Sequence, residues 1–94
     1  MEQNRLQRRF IRFYGRVQGV GFRYVAVQAA QSAGATGWVR NEYDGTVTME
    51  IQGTEEQIDR VLQTLTGGRY IRVDRTDSRS IAAVPAEKGF RVRY

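Results

Sequence analysis

Gly15-Arg16-Val17-Gln18-Gly19-Val20-Gly21-Phe22-Arg23 places three glycines in a strand-to-helix turn that ends on an arginine, Arg23. Gly15, Gly19 and Gly21 free the backbone to curl tightly and turn its N–H groups to one point. The arginine arrives as a helix begins. A ring of amide donors, a helix N-terminus and a guanidinium together suit a phosphate dianion.

What the chain lacks narrows the chemistry further. It has no Cys and no His, which excludes a thiol phosphatase, a phosphohistidine enzyme, a Ser-His-Asp triad and zinc sites built from Cys and His. The only lysine is Lys88, far from the glycine-rich turn, so the turn is not a Walker A loop. No acidic pair stands at the spacing of an aspartyl-phosphate or magnesium site. Catalysis must then rest on arginine, backbone amides and hydroxyls, with carboxylates as the weaker alternative.

Net charge is +5, and fourteen of the fifteen basic residues are arginine. Arginine grips phosphate bidentately, so the excess favours anionic partners, small phosphorylated molecules or nucleic acid. Arg5, Arg8 and Arg9 are expected to be a solvated basic surface. The 94 residues suit one domain spanning 1–94, with 1–7 as a frayed tail. No apolar run approaches the ~20 residues of a membrane span. Met1-Glu2-Gln3-Asn4-Arg5 is too polar for a secretory signal, and the absence of cysteine fits a cytoplasmic protein.

These residues need elements to hold them. Residues 8–14 alternate as a strand, with Ile11 and Phe13 on one face and Phe10, Arg12 and Tyr14 on the other. Phe22, Val25, Ala26, Ala29, Ala30 and Ala33 recur at helical spacing, and Gly34 is a natural stop. Residues 36–41 read as a second strand carrying Trp38 and Val39. Tyr43-Asp44-Gly45 is a turn, and residues 46–52 alternate Val47, Met49 and Ile51 against Thr48, Glu50 and Gln52, which predicts a β-hairpin. Thr54 opens a capping box with Gln57, ahead of a helix with the stripe Ile58, Val61, Leu62 and Leu65. Gly67-Gly68 stops that helix. Residues 70–84 contain a fourth strand, and 90–94 alternate as a last one. The order β-α-β-β-α-β plus a short terminal strand predicts an α+β, ferredoxin-like sandwich. Two helices cover one face of a mostly antiparallel sheet, with the first and third strands central.

The glycine turn, together with Gly37-Trp38-Val39-Arg40-Asn41 and Asp44-Gly45-Thr46-Val47, resembles the acylphosphatase family. The similarity runs in register from about Phe10 to Gln52-Gly53 and weakens beyond. It implies a metal-free, cofactor-free hydrolase that splits acyl phosphates to carboxylate and phosphate without a covalent intermediate. It also implies that Arg23 binds the phosphoryl group, that the amides of Arg16, Val17, Gln18, Gly19 and Val20 complete the cradle, and that Asn41 holds the attacking water. Inorganic phosphate would be both product and inhibitor, and a monomer is the default for so small a chain. Thr46 either hydrogen-bonds Asn41 across the hairpin or is a plain β-branched strand residue.

Departures from the family pattern lie beside the proposed site. Tyr43 stands where many relatives carry proline, and Glu42 puts an acid nearby, expected to point to solvent. Trp38 and Tyr94 are expected to be packing residues. An RNA-binding module is the alternative from a different class. It would share the βαββαβ order and the basic charge, with Phe10, Phe13 and Tyr14 as stacking aromatics. Against it, residues 46–52 contain no aromatic, so a nucleic-acid partner is not expected. An acyl-phosphate binder without turnover is the third alternative.

Overall fold

A ladder of strand pairs organises the chain. The computed structural model describes residues 5–94, so Met1–Asn4, part of the expected frayed tail, lie outside it. The elements run β1 (Gln7–Arg16), α1 (Phe22–Ala33), β2 (Thr36–Asn41), β3 (Val47–Gly53), α2 (Glu55–Thr66), β4 (Arg72–Ile81) and β5 (Phe90–Arg93). The sheet order is β4-β1-β3-β2-β5, and only the β2–β5 pair is parallel. The fold is the ferredoxin-like α+β sandwich with an added C-terminal strand, and β1 and β3 sit side by side at its centre.

Alternation on β1 divides the two faces of the sheet. Ile11 and Phe13 are buried on the helix side, opposite Met49 and Val47 of β3. The helices supply Phe22, Ala26, Ala30, Ile58, Val61 and Leu65 to the same core. The Phe13 and Phe22 rings meet at 4.9 Å with a 59° tilt, which ties the strand before the glycine turn to the helix after it. Small alanines on α1 let that helix lie close to the sheet. The Thr54 hydroxyl accepts from the Gln57 amide while the Gln57 side chain accepts from the Thr54 amide, so α2 begins with both halves of its capping box. Gly34 ends α1 by donating to the Ala30 and Gln31 carbonyls.

Arg8 departs from its expected place on a solvated surface. It is only 4% exposed and lies under residues 82–89, the link between β4 and β5. Its guanidinium reaches Glu87 at 2.7 Å, Glu50 at 2.8 Å and the Gln52 side-chain carbonyl at 3.3 Å. Gln52 then pairs with Val84 in both directions, donating to its carbonyl and accepting from its amide. A buried arginine thus ties residues 82–89 to the sheet through Glu87. Burial pushes the guanidinium pKa down, but the bonds to Glu87 and Glu50 outweigh it and hold Arg8 charged.

Candidate active site

The glycine turn is held at three points. At its start, β1 slips register against β4 between Tyr14 and Gly15. Gly15 sits there at φ 131°, where a Cβ would lie 2.3 Å from the Arg72 carbonyl oxygen, so only glycine passes this crossing. In the middle, Val17 is fully buried and anchors the turn to the core. At the end, Gly21 takes a left-handed conformation (φ 82°) as the N-cap of α1.

No side chain among the described residues caps that helix. Gly21 offers no side-chain acceptor, and the first turn carries no acid. Among the described residues, no turn, loop or cap hydrogen bond takes the amides of Val17, Gln18, Gly19 or Val20 as donors. Arg23 stands in the first turn of α1, where a cation opposes the helix dipole instead of complementing it. Stability alone disfavours this local arrangement. An anion placed there would satisfy the amides, the dipole and the guanidinium together.

The second half of the site comes from the hairpin. Asn41 ends β2, paired with Val47, and with Arg23 it lines a cleft of about 420 Å³. Its carboxamide makes no hydrogen bond among the described residues, so it is not spent on its own turn. The Gln18 side chain crosses from the glycine turn to the hairpin and donates to the Glu42 and Thr46 carbonyls at 2.8 and 2.9 Å. It fixes the turn relative to Asn41. The sequence marks Gln18 only as an amide donor, since nothing in a lone glutamine announces which carbonyls lie within reach.

Glu42 and Tyr94 differ from expectation, and Thr46 follows neither of its two readings. The Thr46 hydroxyl does not serve Asn41: it donates to Asp44 at 2.7 Å and accepts from Arg12 at 2.8 Å. Glu42 folds back from solvent onto the hairpin, where it accepts from Arg40 at 3.0 Å and from the Thr48 hydroxyl. The Thr48 bond, aided by Arg40 and only partly opposed by burial, holds its carboxyl below the ordinary glutamate range. Glu42 is therefore a paired anion outside the cleft. Tyr94 is 97% exposed instead of packed, and the Arg23 guanidinium lies over its ring at 5.6 Å. Trp38 does pack, at 7% exposure, between Arg40 and Arg93.

Tyr24, Val27, Val92 and Tyr94 give the cleft an apolar wall beside its charged end. Arg23, Tyr24 and Val27 share a helical face, and Val92 and Tyr94 share a strand face, but nothing in the sequence marks either face as a pocket wall. A pocket of this shape accepts a small molecule with a doubly charged head and an apolar body. No group of three or more carboxylates that could hold a metal ion forms among the described residues. No helix among them is long and apolar enough to cross a membrane.

The acylphosphatase family model matches residues 9–92. An acylphosphatase of Geobacillus thermodenitrificans is 44% identical over 81 residues, covering 85% of this chain and 86% of its own. One from Salinibacter ruber is 40% identical over 94 residues, covering 99% of each. The crystal structure of acylphosphatase from Bacillus subtilis superposes with a TM-score of 0.83 at 31% identity, covering 96% of this chain and all of its own.

Proposed function

The chain belongs to the acylphosphatase family, and on that premise we propose that it hydrolyses the carboxyl–phosphate bond of acyl phosphates without a metal ion. A carboxylate leaves readily, so the reaction asks mainly for positioning and for neutralisation of charge on the three phosphoryl oxygens. The Arg23 guanidinium and the amides of Arg16, Val17, Gln18, Gly19 and Val20 hold those oxygens. The Asn41 carboxamide oxygen accepts from a water and aims its lone pair at phosphorus. The water oxygen bonds to phosphorus, the bond to the acyl oxygen breaks, and its electron pair leaves with the carboxylate. The proton of the water passes to a phosphate oxygen, since no side chain in the cleft is a base at neutral pH. Inorganic phosphate, the product, occupies the same cradle and inhibits. We also assign the protein to the cytoplasm, as a monomer.

One observation carries this assignment: Arg23 and an unspent Asn41 carboxamide face one cleft at an uncapped helix N-terminus. Its test is phosphate release from benzoyl phosphate by wild type and Arg23→Ala in parallel, with excess chelator present. Wild type is expected to turn over unchanged by the chelator, and Arg23→Ala to fall by about 100-fold or more. Activity lost to chelation would overturn the metal-free step. An unimpaired Arg23→Ala would overturn the site.

A further inference from the structure

The active site uses one guanidinium, which leaves most of the chain's arginine excess without a role. Half of the fourteen arginines lie on the face of the sheet that carries no helix. Strand register places them in rows. Arg79, Phe10, Glu50, Trp38 and Arg91 run across all five strands. Asp77, Arg12, Thr48, Arg40 and Arg93 form the next row. Tyr14 and Arg75 begin a third. Arg8 and residues 82–89 cover only the opposite end.

The aromatics on this face are capped by guanidinium groups. Arg75 sits 3.9 Å from the Tyr14 ring centre and Arg79 4.7 Å from that of Phe10. Arg93 and Arg40 lie 4.8 and 5.4 Å from that of Trp38. The Tyr14 hydroxyl donates to Asp77, which steadies that ring. Each ring orders a long side chain, so part of the entropy of fixing an arginine is met before any ligand arrives. Seven arginines face five carboxylates here. Arg79 and Arg93 make no ion pair among the described residues. Phe13, the third aromatic considered as a stacking platform, is on the other face and fully buried.

We propose that this helix-free face binds single-stranded nucleic acid. Guanidinium planes stack bases, and the N–H groups of Arg79 and Arg93, unpaired with carboxylates among the described residues, take phosphates. Five strands at a spacing of ~4.8 Å give a platform about 19 Å across, room for about three nucleotides. A duplex is disfavoured, because its bases are already stacked and a flat sheet offers no element to enter a groove. A basic surface that served only solubility would need neither the rings beneath it nor arginine in place of lysine.

Fluorescence anisotropy with a labelled oligothymidylate of about 10 nucleotides tests this, titrated at several salt concentrations. The probes beside it are an abasic strand of equal length, the same sequence as duplex, and phosphatidylserine vesicles. Wild type is expected to bind the single strand at least about tenfold more tightly than the abasic strand or the duplex. The exposed pair Arg79→Gln/Arg93→Gln, its fold checked by circular dichroism, is expected to lose about tenfold in affinity and to flatten the salt slope by about 1.4. Equal binding of the abasic strand, an unchanged double variant, or binding to vesicles in place of the oligonucleotide would each overturn the proposal. The face is separate from the cleft, so this outcome is independent of acyl-phosphate turnover.

Discussion

Arg23 and Asn41 divide the proposed work between charge and direction, and two substitutions separate the roles. Arg23→Ala removes a ligand of the phosphoryl group in every state, so phosphate inhibition and turnover should weaken together. Asn41→Ala removes only the partner of the attacking water. Its kcat should drop by about 100-fold or more while the inhibition constant for phosphate stays near wild type. Measuring both constants on both variants checks the split, and equal loss of phosphate affinity in Asn41→Ala would refute it. The apolar wall adds a third residue-scale expectation. Tyr94→Ala should raise KM for benzoyl phosphate several-fold and leave acetyl phosphate nearly untouched, because only the larger acyl group reaches the ring. The sequence singles out Arg23 and Asn41 only through the joint motif and its resemblance, and the fold brings both to one cleft. Tyr94 was not legible there, since an aromatic at a strand end reads equally well as packing until its exposure is known.

The turn between β1 and α1 and the hairpin between β2 and β3 are independent pieces of chain, and Gln18 is what registers them. Two hydrogen bonds to backbone carbonyls contribute about 1–2 kcal/mol net, but their larger effect is on geometry. Gln18→Ala should lower kcat by about tenfold or more with a smaller change in KM, since misplacing the water relative to phosphorus costs rate before it costs binding. Gln18→Glu is the sharper variant. It keeps the shape and replaces a donor with an anion facing the Glu42 and Thr46 carbonyls, so it should be worse than alanine. A Glu variant as active as wild type would show that the crossing bonds do not position the site. The elements themselves were readable because period-2 and period-3.6 patterns are local, as are the capping box at Thr54 and the stop at Gly34. The crossing bonds of Gln18 were not, because they join residues distant in sequence. For the same reason Thr46 was open to an Asn41 partner, when Asp44 two residues away and Arg12 on the neighbouring strand take its hydroxyl.

At the scale of the whole molecule, Arg8 decides how the far side of the sheet is closed. A basic residue near the start of the chain reads as surface charge, and only the return of residues 82–89 over the sheet buries it. Glu87 carries the consequence for pH. Burial raises its pKa, but the hydrogen bond and charge of Arg8, with help from Arg91, outweigh burial and leave it below the ordinary glutamate range. A carboxyl whose folded pKa is depressed contributes stability that is complete above the unfolded value. That contribution is lost as pH falls through the folded one, here below about pH 4.5. Glu42 and Asp44 are shifted the same way, Glu42 first by its Thr48 bond and Asp44 first by its Thr46 bond, so all three act in the same acid window. Between about pH 6 and 7.5 none of them changes charge, and the chain has no His or Cys to titrate there. Turnover should therefore show no enzyme-derived limb in that range. Removing one partner separates the ion pair from the rest of the acid response. Glu87→Gln leaves Arg8 charged and half-satisfied by Glu50, which should cost about 3 kcal/mol at pH 7 and lower Tm by about 10 °C or more. The gap from wild type should then narrow as pH falls through the depressed folded pKa of Glu87 and the wild-type carboxyl becomes protonated in both states. A constant Tm difference across pH would instead mean that Glu87 contributes through shape alone, and that residues 82–89 are held down by the Gln52–Val84 pair.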